Sequence, residues 1–206
     1  MRALILVDLQ NDFLPGGALA VRQGDQVIEP ANRLQTAYDL VVATQDWHPA
    51  DHGSFATQHL WRSPGEVIEL DGLEQVLWPP HCVQGTFGAE LSDAVDRTRI
   101  ARVFRKGMDP KVDSYSGFFD NGRRNDTGLG GWLRERGIDA VDVCGLALDY
   151  CVKFTAIDAA RLGFCTSVVV DACRAVDVHA GDGDRALEEL RRAGVAIVGE
   201  RERSGG

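Results

Sequence analysis

The sequence predicts an α/β fold with three layers, in which helices cover both faces of a six-stranded parallel sheet. Short apolar runs that are typical of buried strands alternate along the chain with segments of helical periodicity. This alternation favours a parallel sheet over other architectures. The 206 residues contain no internal repeat and no second composition regime. We therefore expect one domain over residues 1–206.

Six apolar runs define the expected strands, at residues 3–7, 40–44, 100–104, 138–144, 166–170 and 195–198. Helical spacing and helix-ending glycines indicate helices at residues 25–38, 87–95, 132–136, 149–162 and 183–193. Two long polar connections, 45–85 and 107–131, interrupt this pattern, and connections of that length are usually functional. The charged, glycine-rich tail at about 200–206 is expected to fray.

Composition and charge exclude several classes of protein. With 44% hydrophobic and 26% charged residues, the chain has the balance of a globular protein. A net charge of −9 without a basic run argues against a nucleic-acid partner. No apolar run approaches the ~20 residues of a membrane span, and the N terminus lacks the apolar stretch of a secretory signal. We expect a cytoplasmic protein with no membrane partner, present as a monomer or a small homo-oligomer.

Four polar residues fall where a strand-like run ends, or shortly after it: Asp8, Asp46, Lys106 and Cys151. The carboxyl ends of parallel strands share one edge of the sheet, where ligands bind in open α/β folds. These four side chains should therefore meet in one crevice. An acid, a metal ligand, a cation and a thiol form a set that suits covalent hydrolysis.

Cys151 is the candidate nucleophile. The preceding strand ends near Gly145, and Asp149 is a good N-cap residue, so Cys151 is expected in the first turn of a helix. The helix dipole at that position lowers the pKa of a thiol, and free backbone N–H groups there can hold an oxyanion. The chain has five cysteines and no CxxC pair, which indicates reduced thiols in a cytoplasmic protein.

Asp8 and Lys106 are the candidate partners of this thiol. Either residue alone would fit a solvated position in a loop. Together with Cys151 they form a Cys/Asp/Lys constellation, because lysine lowers the thiol pKa by its charge and aspartate can accept the thiol proton.

A metal site is expected in the first long connection. Asp46 and His48 lie two residues apart, and His81 follows later in the same connection. Imidazoles with a carboxylate suit Zn²⁺, Fe²⁺ or Mn²⁺. We expect one divalent metal ion per chain on Asp46, His48 and His81, with zinc favoured. His52 could be a fourth ligand or a neighbour of the ligands, whereas His59 is assigned no role.

Six short segments together match one known family. They are residues 7–13 (VDLQNDF), 45–55 (QDWHPADHGSF), 78–84 (WPPHCVQ), 104–107 (FRKG), 112–116 (VDSYS) and 149–152 (DYCV). They resemble bacterial nicotinamidases, also called pyrazinamidases, which are isochorismatase-like hydrolases. The Cys/Asp/Lys trio alone fits several amidases of that superfamily. The DWH and WPPHC segments narrow the resemblance to the metal-binding nicotinamidase branch.

The resemblance implies an activity and a set of catalytic residues. The activity is hydrolysis of nicotinamide to nicotinate and ammonia in NAD salvage, through a thioester, with pyrazinamide as a further substrate. Asp8, Lys106 and Cys151 match the family's catalytic residues. The resemblance also implies a cis peptide bond just before Ala147, with the N–H groups of Ala147 and Cys151 forming the oxyanion hole.

The same resemblance implies how substrate and metal are held. Asp46, His48 and His81 match the family's metal ligands, and the fourth position is open to His52, Ser54 or water. For the substrate ring we expect Phe13 and Trp78 as flanking residues and Tyr115 as a residue that helps to close the pocket.

Three alternatives stay open at this point. The first is another amide or carbamoyl hydrolase of the same fold, or an isochorismatase acting on a vinyl ether, and metal content discriminates these relatives. The second is a non-catalytic ligand-binding or scaffold protein, which an ammonia-release assay would identify. The third uses the same residues but has a metal-bound hydroxide as the nucleophile.

Overall fold

The computed structural model describes residues 1–204 of the chain. Eight strands and five α-helices are assigned in that range. They are β1 Arg2–Val7, α1 Ile28–Gln35, β2 Leu40–Asp46, β3 Val67–Leu70, β4 Leu73–Val76, β5 Ile100–Lys106, α2 Leu129–Glu135, β6 Ala140–Leu146, α3 Lys153–Arg161, β7 Cys165–Arg174, α4 Asp182–Arg192, β8 Ala196–Val198 and α5 Arg201–Ser204.

Six of these strands form one parallel sheet in the order β5-β2-β1-β6-β7-β8, with helices packed against it. The predicted fold class is therefore confirmed. The central strands β1 and β6 are buried along almost their whole length. A parallel sheet that is covered on both faces requires apolar side chains on both faces, which explains the near-continuous apolar runs in the sequence.

The predicted helix at 25–38 is divided in two. Gly24–Val27 forms a 3₁₀ turn, and α1 begins at Ile28. Pro30 has no N–H, so it cannot bond to the carbonyl of Gln26 as a longer α-helix would require. The first helical turn tolerates this proline, which is where the structure has it.

The predicted helix at 87–95 is wrong beyond its first turn. Only Phe87–Ala89 is helical, as a 3₁₀ turn. The chain then runs beside the segment that follows β1, where Leu91 pairs with Gln10 and the N–H of Ser92 donates to the carbonyl of Leu9 at 2.9 Å. These backbone bonds to a neighbouring segment replace the helical ones.

The first long connection contains a β-hairpin that the sequence analysis did not predict. Strands β3 and β4 pair antiparallel, with Leu70 opposite Leu73. Asp71 and Gly72 form the two-residue turn, and both have positive φ, at 49° and 82°. Asp-Gly is a typical hairpin turn because these residues adopt left-handed conformations readily.

The C-terminal segment contains a short helix. Residues Arg201–Ser204 form α5, and the Arg203 guanidinium lies 2.9 Å from the buried carboxylate of Asp142 in β6. The fraying expected at about 200–206 stays a prediction. Residues 205–206 lie outside the described part. Within the described part, no helix has the length and apolar character that crossing a bilayer would need.

Candidate active site

The carboxyl ends of three adjacent strands carry the predicted acid, metal ligand and cation. Asp8 follows β1, whereas Asp46 and Lys106 are the last residues of β2 and β5 and are paired in register. All three side chains are buried. The strands thus bring together groups that are up to 98 positions apart in the sequence, as the strand-end prediction required.

Lys106 is the centre of this cluster. Its Nζ lies 2.9 Å from Asp8 Oδ2 and 2.5 Å from Asp46 Oδ1. The same ammonium donates to the carbonyl oxygen of Ser114 at 2.9 Å and contacts the Sγ of Cys151 at 3.4 Å. A buried ammonium requires such partners to offset its desolvation. Lys106 therefore links both carboxylates to the thiol.

Burial raises the pKa of both the candidate base, Asp8, and the candidate nucleophile, the Cys151 thiol. Burial raises the pKa of Asp8 although Lys106 opposes the rise, and a less acidic carboxylate is a better proton acceptor near neutral pH. Burial also raises the pKa of the Cys151 thiol, with Lys106 again opposing. The expected low thiol pKa is therefore wrong for this buried position. The thiol keeps its proton until a base removes it, and Asp8 lies within 4.8 Å.

The turn that carries Cys151 differs from the predicted one. Leu148–Val152 forms a π-helical turn with Ala147 at its N-cap, and α3 continues from Lys153. Asp149 is not the cap, because its carboxylate accepts bonds from the N–H groups of Val176 and Asp177, both at 2.9 Å. The bond between Leu146 and Ala147 is cis, as the resemblance implies.

Three ligand-type side chains converge beside the lysine cluster. Asp46 Oδ2 lies 3.6 Å from His48 Nε2 and 3.9 Å from His81 Nε2. The Nδ1 atoms bond to backbone carbonyls instead, that of His48 to Gly107 and that of His81 to Pro79, each at 2.8 Å. These bonds assign the proton to Nδ1 and leave both Nε2 lone pairs facing Asp46.

This arrangement fits a divalent metal ion. Nε2 of His48 is buried and has no hydrogen-bond partner in the described part of the chain, which is costly unless a ligand satisfies it. Burial and the adjacent His48 lower the pKa of His81 to about 4, so its imidazole is neutral at physiological pH. Lys106 and His48 outweigh burial and hold the pKa of Asp46 well below its usual range. Two imidazoles and a carboxylate are the ligand types that zinc prefers.

The other histidines of the first long connection differ in their surroundings. His52 bonds through Nδ1 to the hydroxyl of Ser54 at 2.7 Å, so the two candidates for the fourth ligand contact each other. His52 also forms a second group of ligand-type atoms with His48 and Asp113, all within 4.8 Å of one another. His59 bonds to the carbonyl of Gly53 at 2.7 Å, outside both groups.

A cavity opens from Cys151 and Ala147 toward Asp46 and His81. Its lining includes the three predicted substrate contacts Phe13, Trp78 and Tyr115, and four residues that the sequence analysis did not assign: Leu19, Asp113, Tyr150 and Val176. We name Phe13, Trp78, Asp113, Tyr115 and Tyr150 the cavity wall. The ring of Tyr150 packs edge-on against Trp78 and Tyr115, with centroids 4.9 and 5.3 Å away. Tyr150 directly precedes the candidate nucleophile in the DYCV segment, and this position could have indicated from the sequence that it lines the cavity.

Comparison with known proteins places this site in a family. A family model described as the isochorismatase domain matches residues 2–202. The chain belongs to the isochorismatase domain family. This result confirms the superfamily resemblance that the sequence motifs predicted.

Similar members of the isochorismatase domain family are amidases by name. The Escherichia coli protein named nicotinamidase is 52% identical over 200 residues, which cover 95% of this chain and 93% of that protein. A solved nicotinamidase/pyrazinamidase from Acinetobacter has a TM-score of 0.95 at 44% identity, covering 98% of this chain and 97% of that one. A pyrazinamidase of Pyrococcus horikoshii, solved in complex with zinc, has a TM-score of 0.80 at 38% identity over 96% and 98% of the chains.

One glycine connects the lysine cluster with the candidate metal ligands in this chain. Gly107 follows Lys106, has a φ of 64°, and accepts the Nδ1–H of His48 on its carbonyl. A Cβ at this position would lie 2.4 Å from Cε1 of His48, closer than real contacts allow. The absent side chain therefore leaves room for the imidazole that faces Asp46.

Proposed function

We propose that this chain is a nicotinamidase that converts nicotinamide to nicotinate and ammonia in NAD salvage and also accepts pyrazinamide. The single observation that carries the proposal is the buried contact of Lys106 with Asp8, Asp46 and the thiol of Cys151. It combines a nucleophile, a base and a cation at one point, in a chain whose similar relatives are named nicotinamidase.

Substrate binding in this proposal uses the metal-ligand group and the cavity wall. Asp46, His48 and His81 would hold one divalent ion per chain, with zinc the favoured identity. When bound by these three residues, the ion would supply a Lewis acid at the end of the cavity that Asp46 and His81 line. Phe13 and Trp78 flank the ring, and Tyr115 closes the pocket.

Acylation begins when Asp8 takes the proton from the Cys151 thiol. The thiolate sulfur attacks the amide carbon, a C–S bond forms, and the carbonyl electron pair moves to oxygen. Backbone N–H groups of Ala147 and Cys151 stabilise this oxyanion. Asp8 then gives its proton to the departing nitrogen, the C–N bond breaks, and ammonia leaves a thioester on Cys151. Lys106 stabilises the anionic sulfur and carboxylates throughout.

Deacylation uses the same base. Asp8 takes a proton from water, the water oxygen attacks the thioester carbon, and the tetrahedral oxyanion again receives the two backbone N–H groups. The C–S bond then breaks, the sulfur leaves with the electron pair, and the proton on Asp8 returns to it. The product leaves as nicotinic acid and passes its proton to ammonia or solvent to become nicotinate, and Cys151 and Asp8 regain their starting protonation states.

Ammonia release from nicotinamide by the zinc-loaded protein is the direct test. We expect turnover by the wild type and none by Cys151→Ala. A wild type that releases ammonia from other amides but not from nicotinamide would indicate a different amidase of the family. A wild type that binds nicotinamide without turnover would indicate a binding protein. Turnover by Cys151→Ala would contradict the thioester.

A further inference from the structure

We propose that Gln75 is a positioning residue that fixes Asp113 and Tyr115 of the cavity wall. The inference rests on the proposed function, because its effect is read from nicotinamide binding. Gln75 lies on β4, the second strand of the hairpin in the first long connection. Its side chain is 2% exposed and does not line the cavity. It therefore acts through its two neighbours and not by contact with substrate.

The amide nitrogen of Gln75 faces both wall residues. Nε2 lies 3.0 Å from Asp113 Oδ2 and 3.3 Å from the hydroxyl oxygen of Tyr115. A further contact at 2.7 Å, to the carbonyl of Val76, anchors the same amide to its own strand. One side chain of β4 thus contacts a carboxylate and a phenol that both come from the second long connection.

Asp113 needs this donor because it is a buried carboxylate. Its Oδ1 accepts the N–H of Ser114 at 2.7 Å, and Gln75 donates to Oδ2. A buried carboxylate that loses a donor seeks another. The nearest group of ring nitrogens belongs to His48 and His52, within 4.8 Å. Gln75 therefore also keeps Asp113 from turning toward those histidines.

Tyr115 is held at two points. Its ring packs against Tyr150 and Phe154, with centroids 5.3 and 5.4 Å away. Its hydroxyl oxygen accepts the indole N–H of Trp78 at 3.4 Å and lies 3.3 Å from Nε2 of Gln75, which shares its two N–H bonds among three oxygens. Ring packing alone does not fix the hydroxyl end of Tyr115, whereas contacts with two nitrogen atoms do. We therefore infer that Gln75 positions the hydroxyl end of Tyr115 in the cavity wall.

Substitution of Gln75 should change KM more than kcat, because Gln75 does not contact the catalytic residues. None of its hydrogen bonds in the described chain reaches Asp8, Lys106 or Cys151. We expect Gln75→Leu to raise KM for nicotinamide about tenfold, the factor for roughly one hydrogen bond to a charged group, and to change kcat much less. Glu74→Gln on the same strand is the matched control, since Glu74 is exposed, and should change neither constant.

A polarity swap separates positioning from mere structural support. In Gln75→Glu the donor becomes an acceptor that faces Asp113, so KM should rise further than in Gln75→Leu. Adding Asp113→Asn restores one donor and one acceptor in the reverse order. We expect KM of the double variant to return most of the way to the wild-type value. If the two substitutions caused only general packing defects, their effects on KM would add instead.

Binding of nicotinamide in a Cys151→Ala background, measured by calorimetry on zinc-loaded protein, provides the readout without turnover. Recovery by the swap in this measurement supports the inference, also where Gln75→Leu fails to fold. Additive losses, or a kcat loss without a KM change, overturn it. The proposed function is tested separately, because it fails only if wild-type protein releases no ammonia from nicotinamide.

Discussion

The cluster of Asp8, Asp46, Lys106 and Cys151, which we name the catalytic cluster, and the cavity wall are built in different ways. Asp8, Asp46 and Lys106 sit at the ends of adjacent strands, where the hydrogen-bond register of the sheet fixes their spacing. The wall residues Trp78 and Tyr115 come from two long connections that are held together by side-chain bonds. In the proposed function, the chemistry would therefore depend on the sheet, whereas recognition of the substrate ring would depend on connections that the sheet does not position.

The largest effect is expected in the catalytic cluster. Cys151→Ala should lower kcat by about 10⁴-fold or more, the order found when a nucleophile is removed, because no other group in the cluster can form the thioester. Nicotinamide binding should be largely retained, since it belongs to the wall and the metal ligands. Calorimetry and ammonia release measure the two quantities. Cys165→Ala, which removes an exposed thiol, is the control and should be fully active.

Lys106→Ala should also affect the cluster. Removing the positive charge raises the pKa of Cys151 further, so the alkylation rate of Cys151 should shift to higher pH. Loss of a buried partner of two carboxylates should also lower stability by about 3–5 kcal/mol, seen in denaturant unfolding. An unmoved alkylation profile would show that Lys106 does not act on the thiol. Lys111 is exposed, so Lys111→Ala should change neither the pH profile of alkylation nor the stability.

The metal-ligand group lies between the two regions, and its variants should show an intermediate effect. His48→Ala and His81→Ala should lose bound zinc and raise KM for nicotinamide, whereas His59→Ala should do neither. His52→Ala is expected to weaken zinc binding by about 10–100-fold if His52 supports a ligand, and more if it is a ligand. Metal analysis after dialysis is the measurement. Full activity of wild-type protein without a divalent metal would contradict the ligand assignment.

The smallest effects are expected from two tryptophans of the first long connection. Trp78→Phe removes the indole donor to Tyr115 and should raise KM by a few-fold, about the value of one neutral hydrogen bond. Trp61 is 97% exposed, so Trp61→Ala should leave KM unchanged and stability within about 0.5 kcal/mol. Steady-state kinetics and thermal unfolding distinguish the pair. Equal KM values for Trp78→Phe and Trp61→Ala would show that the indole of Trp78 does not contribute to substrate binding.

The sequence predicts the fold and the strand ends because apolar runs of buried parallel strands are visible without structural context. The abrupt change from Val7 to Asp8 marks a strand end by itself. The hairpin of β3 and β4 was missed because its strands are four residues long and half exposed. Gln75 was missed because nothing local distinguishes its amide from a surface one. The single-domain extent, cytoplasmic location and oligomeric state remain predictions.

Gly107 has a consequence for any survey of mutational tolerance in this chain. Its carbonyl holds the ring of His48, and its neighbour Lys106 holds the thiol. Alanine there would push on His48 from a backbone that already has positive φ. In a scan of all substitutions, position 107 should therefore be as intolerant as the lysine before it. In the proposed function, a residue with no functional group would then rank with the catalytic ones, and the candidate metal site and the thiol could not be engineered independently.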